Sequence, residues 1–195
     1  TDKDMLEVVT MVYGGLINKK IVALLQSEGV NAIGLTGAEG NMIHAHQREL
    51  QDVDYGYVGD VDKVDALLIS QLIYSELVPV IAPLTHNGRG DLLNTNADTI
   101  AGECAKALSE FFNVRLIYCF ENDGVLEDEM NDASVISKIT PSLFKRYVDA
   151  GIIQGGMIPK LENAFAALDQ GVQEVIITSH KQIGQPSGTL VTLSE

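Results

Sequence analysis

Two short stretches of the chain carry side chains suited to holding an anionic group, and Lys160 stands in one of them. It follows Gly155, Gly156 and Pro159, and Pro159 is expected in the first turn of a helix that runs to Gln170. A lysine in that turn opposes the helix dipole, so a nearby anion would stabilise it. Glycine allows close backbone approach, and helix N–H groups together with an ammonium bind phosphate oxygens. This stretch predicts a phosphate site, with a solvated surface lysine as the alternative.

The other stretch runs from Asn94 to Asp98, reads NTNAD, and leads into an amphipathic helix that begins near Ala97 or Asp98. Unpaired N–H groups at a helix start attract carboxylate or phosphate oxygens as well as capping side chains. Asn96 or Asp98 could simply cap the helix. Capping needs one such residue and the segment offers three, so ligand binding is the competing interpretation.

Helices and buried strands alternate along the chain, a pattern that indicates an α/β fold. The apolar runs from Val78 to Leu84 and from Val114 to Phe120 predict strands buried on both faces. Asp62 is predicted to cap a helix that continues through Leu77. The sequence divides into two α/β lobes, 1–113 and 114–195. Because no linker separates them, we expect both to share one continuous sheet.

The first and the later helices show recognisable local signals. Apolar residues recur at helical spacing from Met5 to Ile17, and the pair Gly14 and Gly15 inside that helix predicts a bend or a close packing partner. Thr140 and Pro141 predict a helix start by the cap and first-position rules.

Composition excludes several classes of function. A formal net charge of −14 opposes binding to nucleic acid. The longest uninterrupted apolar runs fall short of the roughly 18 to 20 residues that span a bilayer, so no membrane segment is expected. Cys104 and Cys119 form no disulfide framework and are expected to be small buried residues in a protein of the reducing cytoplasm.

Common catalytic motifs and a metal centre are not indicated. The chain has no Walker A pattern, no GxGxxG with a downstream acid, no protein-kinase signature and no nucleophile elbow. His44 and His46 are two residues apart and would share one face of a strand, which could suggest a metal. No third ligand is evident, so solvent-facing histidines are the preferred interpretation.

Seven motifs together resemble those of acetylglutamate kinases, which belong to the amino acid kinase family. They occur in the family's order and cover essentially the whole printed chain, and the NxNAD and GGMIPK patterns are specific to this group. The motifs are GLTGAEG (34–40), GYVGDV (56–61), VPVIAPL (78–84), LLNTNAD (92–98), ENDGVL (121–126), GGMIPK (155–160) and SGTLV (187–191).

The resemblance implies a three-layer α/β/α sandwich with a mostly parallel central sheet. It implies that lobe 1–113 binds an acyl amino acid and lobe 114–195 binds ATP. Asn94, with Asn96 beside it, resembles the substrate-binding position; Asp98 resembles the carboxylate that positions the catalytic lysines, and Lys160 a lysine that stabilises the transferring phosphoryl group. Residues of the ENDGVL and GGMIPK motifs would border the nucleotide. These residues are Glu121, Gly155, Gly156 and Met157.

Two departures from the family pattern bear on these roles. The family usually has Asp at the position of Glu121, and the longer side chain could shift the nucleotide. The family's opening strand, its glycine-rich loop, its first catalytic lysine and its substrate-binding arginine are expected to precede Thr1, so those roles fall on no residue of this sequence.

The activity that the resemblance implies is phosphorylation of the side-chain carboxylate of N-acetyl-L-glutamate by ATP, in arginine biosynthesis, with Mg²⁺ carried by the nucleotide. The acceptor is ionised at neutral pH, so in-line attack requires positioning and charge neutralisation but no general base. Another N-acylglutamate such as N-succinylglutamate, or a non-catalytic ligand-sensing role, are the alternatives. A homodimer is expected, with the Met5 to Ile17 helix near the interface.

Overall fold

The computed structural model describes residues 1–50, 53–128, 130–185 and 187–194, and divides the chain into two compact units, Thr1–Leu108 and Ser109–Glu195. The lobe boundary expected after Asn113 lies slightly later than this division. The physical reason is local, because the Ser109 hydroxyl donates to the carbonyl of Gln170 at 3.2 Å and so ties its segment to the second unit.

The first unit opens with one long helix from Lys3 to Ser27 that contains a change of winding. It consists of α1 (Lys3–Val9), a π-helical segment (Thr10–Ile17) and α2 (Asn18–Ser27). Gly14 and Gly15 both lie in the π-helical segment. A Cβ on Gly14 would lie 3.0 Å from Leu84 Cδ1. The expectation of a bend or a close packing partner is therefore confirmed.

Six strands and two further helices complete the first unit. Hydrogen bonds pair β1 with β4 in parallel and join a second sheet in the order β3-β2-β5-β6, in which only the β2–β5 pair is parallel. The elements are β1 (Ala32–Leu35), β2 (Ile43–Gln47), β3 (Gly59–Val64), α3 (Ala66–Tyr74), β4 (Val78–Ile81), β5 (Leu84–His86), β6 (Leu92–Asn94) and α4 (Ala97–Leu108).

The second unit has one four-stranded sheet and two helices. The sheet order is β7-β9-β10-β8, with β7–β9 and β8–β10 parallel and β9–β10 antiparallel. The elements are β7 (Arg115–Phe120), β8 (Lys138–Ile139), α5 (Pro141–Asp149), α6 (Met157–Asp169), β9 (Glu174–Ser179) and β10 (Thr189–Val191). Thr140 caps α5 with Pro141 in its first turn, as predicted.

The α/β class is confirmed, and the strand pairing is mixed. Among the described strands, four of the seven pairings are parallel. The described strands form three hydrogen-bonded sheets where the sequence suggested one.

The helix predicted over 62–77 was wrong at its start. Residues 59–64 form β3, which pairs antiparallel with β2, and the cap of α3 is Asp65, whose Oδ1 accepts from the Leu68 N–H at 2.9 Å. Asp60, Asp62 and Asp65 could each cap a helix by residue type. Pairing with β2 places Asp60 and Asp62 inside β3 and leaves Asp65 as the cap.

The predicted continuous strand from Val78 to Leu84 is two strands. Ala82 and Pro83 separate β4 from β5, which lie in different sheets. Proline lacks the N–H that a central strand must donate, so a break at Pro83 is physically reasonable.

The two cysteines differ in environment. Cys104 is buried in a cluster with Met42, Ile69 and Ile100, and burial raises the pKa of its thiol to about 12. Cys119 is exposed, which corrects the expectation for that residue. Side chains alternate along β7, and its neighbour Tyr118 occupies the buried face.

The Lys3–Ser27 helix has 25 residues and by length and composition is apolar enough to cross a membrane, and 6% of its most apolar window is buried. Scanning for unbroken apolar runs did not anticipate this, because polar residues interrupt the helix. Large apolar side chains stand exposed along it: Met5, Val8, Met11, Val12, Tyr13, Leu16, Ile17, Ile21 and Leu24.

The cap of α3 gives a test of the corrected helix start. Asp65→Ala should lower the free energy of unfolding by about 1 kcal/mol, because the Leu68 N–H loses its acceptor. Urea denaturation followed by circular dichroism measures the change. Asp65→Asn retains an acceptor oxygen and should remain near wild type, and an Asp65→Ala protein of unaltered stability would contradict the assigned cap.

Candidate functional site

The NTNAD segment lies where β6 ends and α4 begins. Asn96 Oδ1 accepts from the Thr99 N–H at 3.0 Å, so Asn96 is the residue that caps α4. Asp98 lies in the first turn of α4 and is partly buried. Of the two interpretations of this segment, capping is confirmed for Asn96. Asn94 and Asp98 remain as candidates for ligand binding.

Asn94 is partly buried and is tied to the start of the chain. Its Nδ2 donates to Thr1 Oγ1 at 3.0 Å, and its backbone N–H donates to the Tyr57 carbonyl at 2.9 Å. The Tyr57 N–H in turn donates to the Thr1 carbonyl at 2.7 Å. The Asn94 amide thus faces a polar environment that includes a hydroxyl and backbone groups, which suits recognition of a small polar ligand.

A cavity of about 450 Å³ lies beside this segment, between α1 and the approach to β6. Tyr57 and Leu92 line it, but Asn94, Asn96 and Asp98 do not. The other lining residues are Lys3, Leu6, Glu7, Thr10, Met11, Gly90 and Asp91.

The hairpin of β2 and β3 leads toward Tyr57 and is held by an ion pair. Arg48 donates to both carboxylate oxygens of Asp60, with Nη2 to Oδ1 at 2.6 Å. These hydrogen bonds hold the pKa of Asp60 below its usual value. The Arg48 guanidinium also lies 5.2 Å from the Tyr55 ring centroid. The pair fixes the hairpin end from which residues 55–59 continue toward Asn94.

The histidines of β2 share a carboxylate partner. Nδ1 of His44 and Nδ1 of His46 lie 3.2 and 2.6 Å from the two oxygens of Asp62. Both side chains are substantially exposed, at 38% and 52%. Burial, and then the charge of His44, lower the pKa of the neighbouring His86. Among the described residues, no group of three or more His, Cys, Asp or Glu has a geometry suited to a metal.

In the second unit, the candidate residues lie around Lys160 on α6. Its Nζ lies 5.0 Å from the Tyr118 ring centroid and 5.9 Å from that of Phe120. Both rings belong to the same face of β7, since they are two residues apart on a strand. Aromatic faces attract an ammonium electrostatically, so the two rings help to orient the Lys160 side chain.

The glycines before α6 leave room at its start. Gly155 has φ of 53°, a conformation that favours glycine, and a Cβ at Gly155 or Gly156 would have no atom within 4 Å. Gly156 is the N-cap residue of α6 and has no side chain with which to cap it. The N–H groups of Met157 and Ile158 donate to the carbonyls of Gln154 and Gly155 at 3.2 and 3.3 Å, and Pro159 has no N–H, so the glycines offer space for close approach more than free donors.

The carboxyl end of β7, in the same unit, carries acidic groups. Glu121 is exposed, whereas Asp123 is partly buried and accepts from the Ser179 hydroxyl at the end of β9 and from Gln182 at 3.3 Å. Asp123 was not among the predicted site residues, although an acid following a parallel strand lies where ligands bind in α/β sheets.

A small cavity of about 60 Å³ lies next to this strand end. Met157 lines it, while Glu121, Gly155 and Gly156 lie outside the lining. The other lining residues are Phe120, Asn122, Gly124, Val125, Leu126, Ile152, Ile153 and Gln154.

Comparison with known proteins identifies the relatives of this chain. The model of the amino acid kinase family matches residues 1–179. The chain is 62% identical to an acetylglutamate kinase of Phocaeicola vulgatus and 61% identical to one of Bacteroides thetaiotaomicron, each over 98% of this chain and 74% of the relative. An acetylglutamate kinase of Methanopyrus kandleri is 41% identical over 98% of this chain and 78% of the relative.

Solved structures show the same fold. The crystal structure of smu.665 from Streptococcus mutans superposes with a TM-score of 0.83 at 31% identity, covering 100% of this chain and 74% of that one. N-acetylglutamate synthase of Neisseria gonorrhoeae, solved with coenzyme A and N-acetyl-glutamate, superposes with a TM-score of 0.83 at 19% identity over 100% of this chain and 45% of that one. At that identity the second likeness concerns the fold alone.

Proposed function

The chain belongs to the amino acid kinase family, and from that premise we propose that it acts as an acetylglutamate kinase. The reaction transfers the γ-phosphoryl group of ATP to the side-chain carboxylate of N-acetyl-L-glutamate, forming an acyl phosphate for arginine biosynthesis. The observation that carries this proposal is identity of about three fifths to acetylglutamate kinases over 98% of the chain.

The chemistry of the described residues suits this reaction. A carboxylate acceptor is ionised at neutral pH, so attack on phosphorus needs no general base. It needs a donor that orients the acceptor, for which we propose the Asn94 amide, and a cation that stabilises the transferring group, for which we propose Lys160. The role of Asp98, to position the catalytic lysines, remains as the family resemblance implies it.

The nucleotide is proposed to bind in the second unit. Its phosphates would approach the open space at the start of α6, where Gly155, Gly156 and Met157 lie. Mg²⁺ is proposed to arrive with ATP, held mainly by the phosphates. Glu121 and Asp123 offer carboxylate oxygens at the end of β7, and these are ligands of the kind that Mg²⁺ accepts, directly or through water.

A cytoplasmic location is proposed together with this function. ATP and a reducing environment are found there, and neither Cys104 nor Cys119 is in a disulfide.

The identity of the acyl group is the most direct test of the proposed function. The complete protein should phosphorylate N-acetylglutamate with a kcat/KM well above that for free glutamate, measured by coupled ADP release. N-succinylglutamate is the competing acceptor. Preference for free glutamate would refute the proposal, and ATP binding without any acyl phosphate would favour a ligand-sensing role.

Lys160→Ala should lower kcat about a hundredfold, which corresponds to on the order of 3 kcal/mol, with a smaller change in KM. The reason is that the ammonium acts mainly on charge that develops in the transition state. Steady-state kinetics in both substrates measures the split.

Two companion variants sharpen this test. Lys145→Ala removes an exposed lysine of α5 and should leave kcat unchanged. Asp98→Asn should lower kcat in the same manner as Lys160→Ala if the carboxylate positions lysines as the resemblance implies. A Lys160→Ala protein that is folded by circular dichroism and retains full kcat would remove Lys160 from the catalytic set.

We also propose a homodimer whose interface includes the Lys3–Ser27 helix. Exposed apolar residues such as Met11, at 64%, and Leu24, at 67%, form a surface of the kind that stable interfaces cover. Light scattering at micromolar concentration should give the mass of a dimer. Met11→Glu should shift that mass toward the monomer, whereas Leu50→Glu, at an apolar residue exposed elsewhere, should not; a monomeric wild type would contradict the proposal.

A further inference from the structure

We propose that a buried pair of hydroxyls, on Thr85 and Thr95, positions the Asn94 amide for the acyl amino acid, and that Gly59 is required for the close packing over this pair. The inference rests on the proposed function, in which Asn94 binds the acceptor. It assigns positioning residues that themselves do not touch the substrate.

The hydroxyl pair joins Thr95 of the NTNAD segment to Thr85 of β5. Thr85 Oγ1 and Thr95 Oγ1 are 2.8 Å apart, and the two residues are 0% and 2% exposed. Thr85 is the middle residue of β5, and Thr95 follows the last residue of β6. The Thr95 N–H also donates to the Pro83 carbonyl at 3.1 Å, so backbone and side chain both fix Thr95 to the β5 side.

Thr95 stands between the two asparagines, and this order has a geometric consequence. In extended chain, successive side chains alternate between faces. Thr95 is buried, whereas Asn94 is half-buried and Asn96 exposed. Because the Thr95 hydroxyl is anchored on the buried face, its neighbours Asn94 and Asn96 project from the opposite face.

Gly59 closes over the same pair from β3. A Cβ at Gly59 would lie 2.6 Å from Thr95 Oγ1, 2.8 Å from Thr85 Oγ1 and 2.9 Å from Leu93 Cβ. Contacts that short are not tolerated, so any side chain at this position forces β3 away from the hydroxyls. Glycine is used here for close approach, since its φ is not among the positive values of the chain.

The segment that ends at Gly59 also holds Asn94 directly. The Tyr57 carbonyl accepts from the Asn94 N–H at 2.9 Å, and Val58 forms a parallel bridge with Asn94. The backbone of Asn94 is thus fixed by residues 57–59 on one side and by the Thr85–Thr95 hydroxyl pair through its neighbour. A displacement of about 1 Å in a group that orients a reactant can cost on the order of a hundredfold in rate.

A hydroxyl pair differs from an apolar pair in the same space. Valine has nearly the shape of threonine and would fill the volume, but dispersion contacts are non-directional and allow small sliding of β6 against β5. A hydrogen bond between two buried hydroxyls has a preferred distance and angle, and leaving one partner alone is costly. The pair therefore defines one position of β6 relative to β5.

The test uses the complete protein with three replacements of the pair. Thr95→Val, and the double variant Thr85→Ala with Thr95→Val, should raise the KM for N-acetylglutamate about tenfold while the KM for ATP stays within about twofold. Thr95→Ser retains the hydroxyl and should stay close to wild type. A purely structural role would instead reduce the folded fraction and leave both KM values of the remaining enzyme unchanged.

The double variant separates positioning from folding. Removing both hydroxyls leaves no unsatisfied partner, and alanine at position 85 avoids crowding two methyl groups where the oxygens are 2.8 Å apart. Its thermal stability should therefore stay near wild type while its KM for the acceptor still rises. Gly59→Ala should raise the same KM at least as much. Wild-type KM values in the folded double variant would overturn the inference.

A second readout is independent of turnover. In ¹⁵N spectra, the side-chain NH₂ signals of Asn94, assigned by their loss in Asn94→Asp, should shift in both valine variants and remain in place in Thr95→Ser. If the wild-type protein phosphorylates no N-acylglutamate, the proposed function fails, but a shift of these signals still supports positioning of Asn94. Unmoved Asn94 signals in both valine variants would overturn the inference, whatever the activity.

Discussion

The antiparallel pairing of β6 with β5 is the constraint on which the NTNAD segment depends. Its register places Leu84 opposite Asn94 and Thr85 opposite Leu93, so the buried residues Leu84, Thr85 and Leu93 hold the start of this polar segment. A buried apolar strand cannot slip by one residue without turning its buried side chains outward. The packing of Leu84 and Leu93 therefore fixes the position of the amides at the end of β6. That position is more rigid than a loop alone would provide.

The second unit orients Lys160 partly through two rings of its own sheet. The Lys160 ammonium lies 5.0 Å from the Tyr118 ring centroid and 5.9 Å from that of Phe120, and aromatic faces attract a cation. The sheet supplies both rings on one face through the two-residue repeat of β7.

Local chemistry allowed parts of the site to be predicted, and non-local pairing explains the rest. The cap at Asn96 and the helix that carries Lys160 follow from side chains and glycines within a few residues, so sequence patterns were sufficient. Asp65 caps α3 instead of Asp62 because β3 pairs with β2. Asp123 accepts its hydrogen bond from Ser179, which is far along the chain. Patterns of polar residues reveal candidates, but partners distant in sequence decide which candidate is used.

The departure at Glu121 bears on the choice between an enzyme and a ligand sensor. Its side chain is exposed, so the additional methylene relative to aspartate extends into solvent and displaces no packed neighbour. The acid that is fixed at this strand end is Asp123, held by a hydroxyl and an amide from the end of β9 and the turn beyond it. The replacement at Glu121 therefore requires no change in the surrounding structure, and it weighs little against the proposed catalysis by Asn94, Asp98 and Lys160.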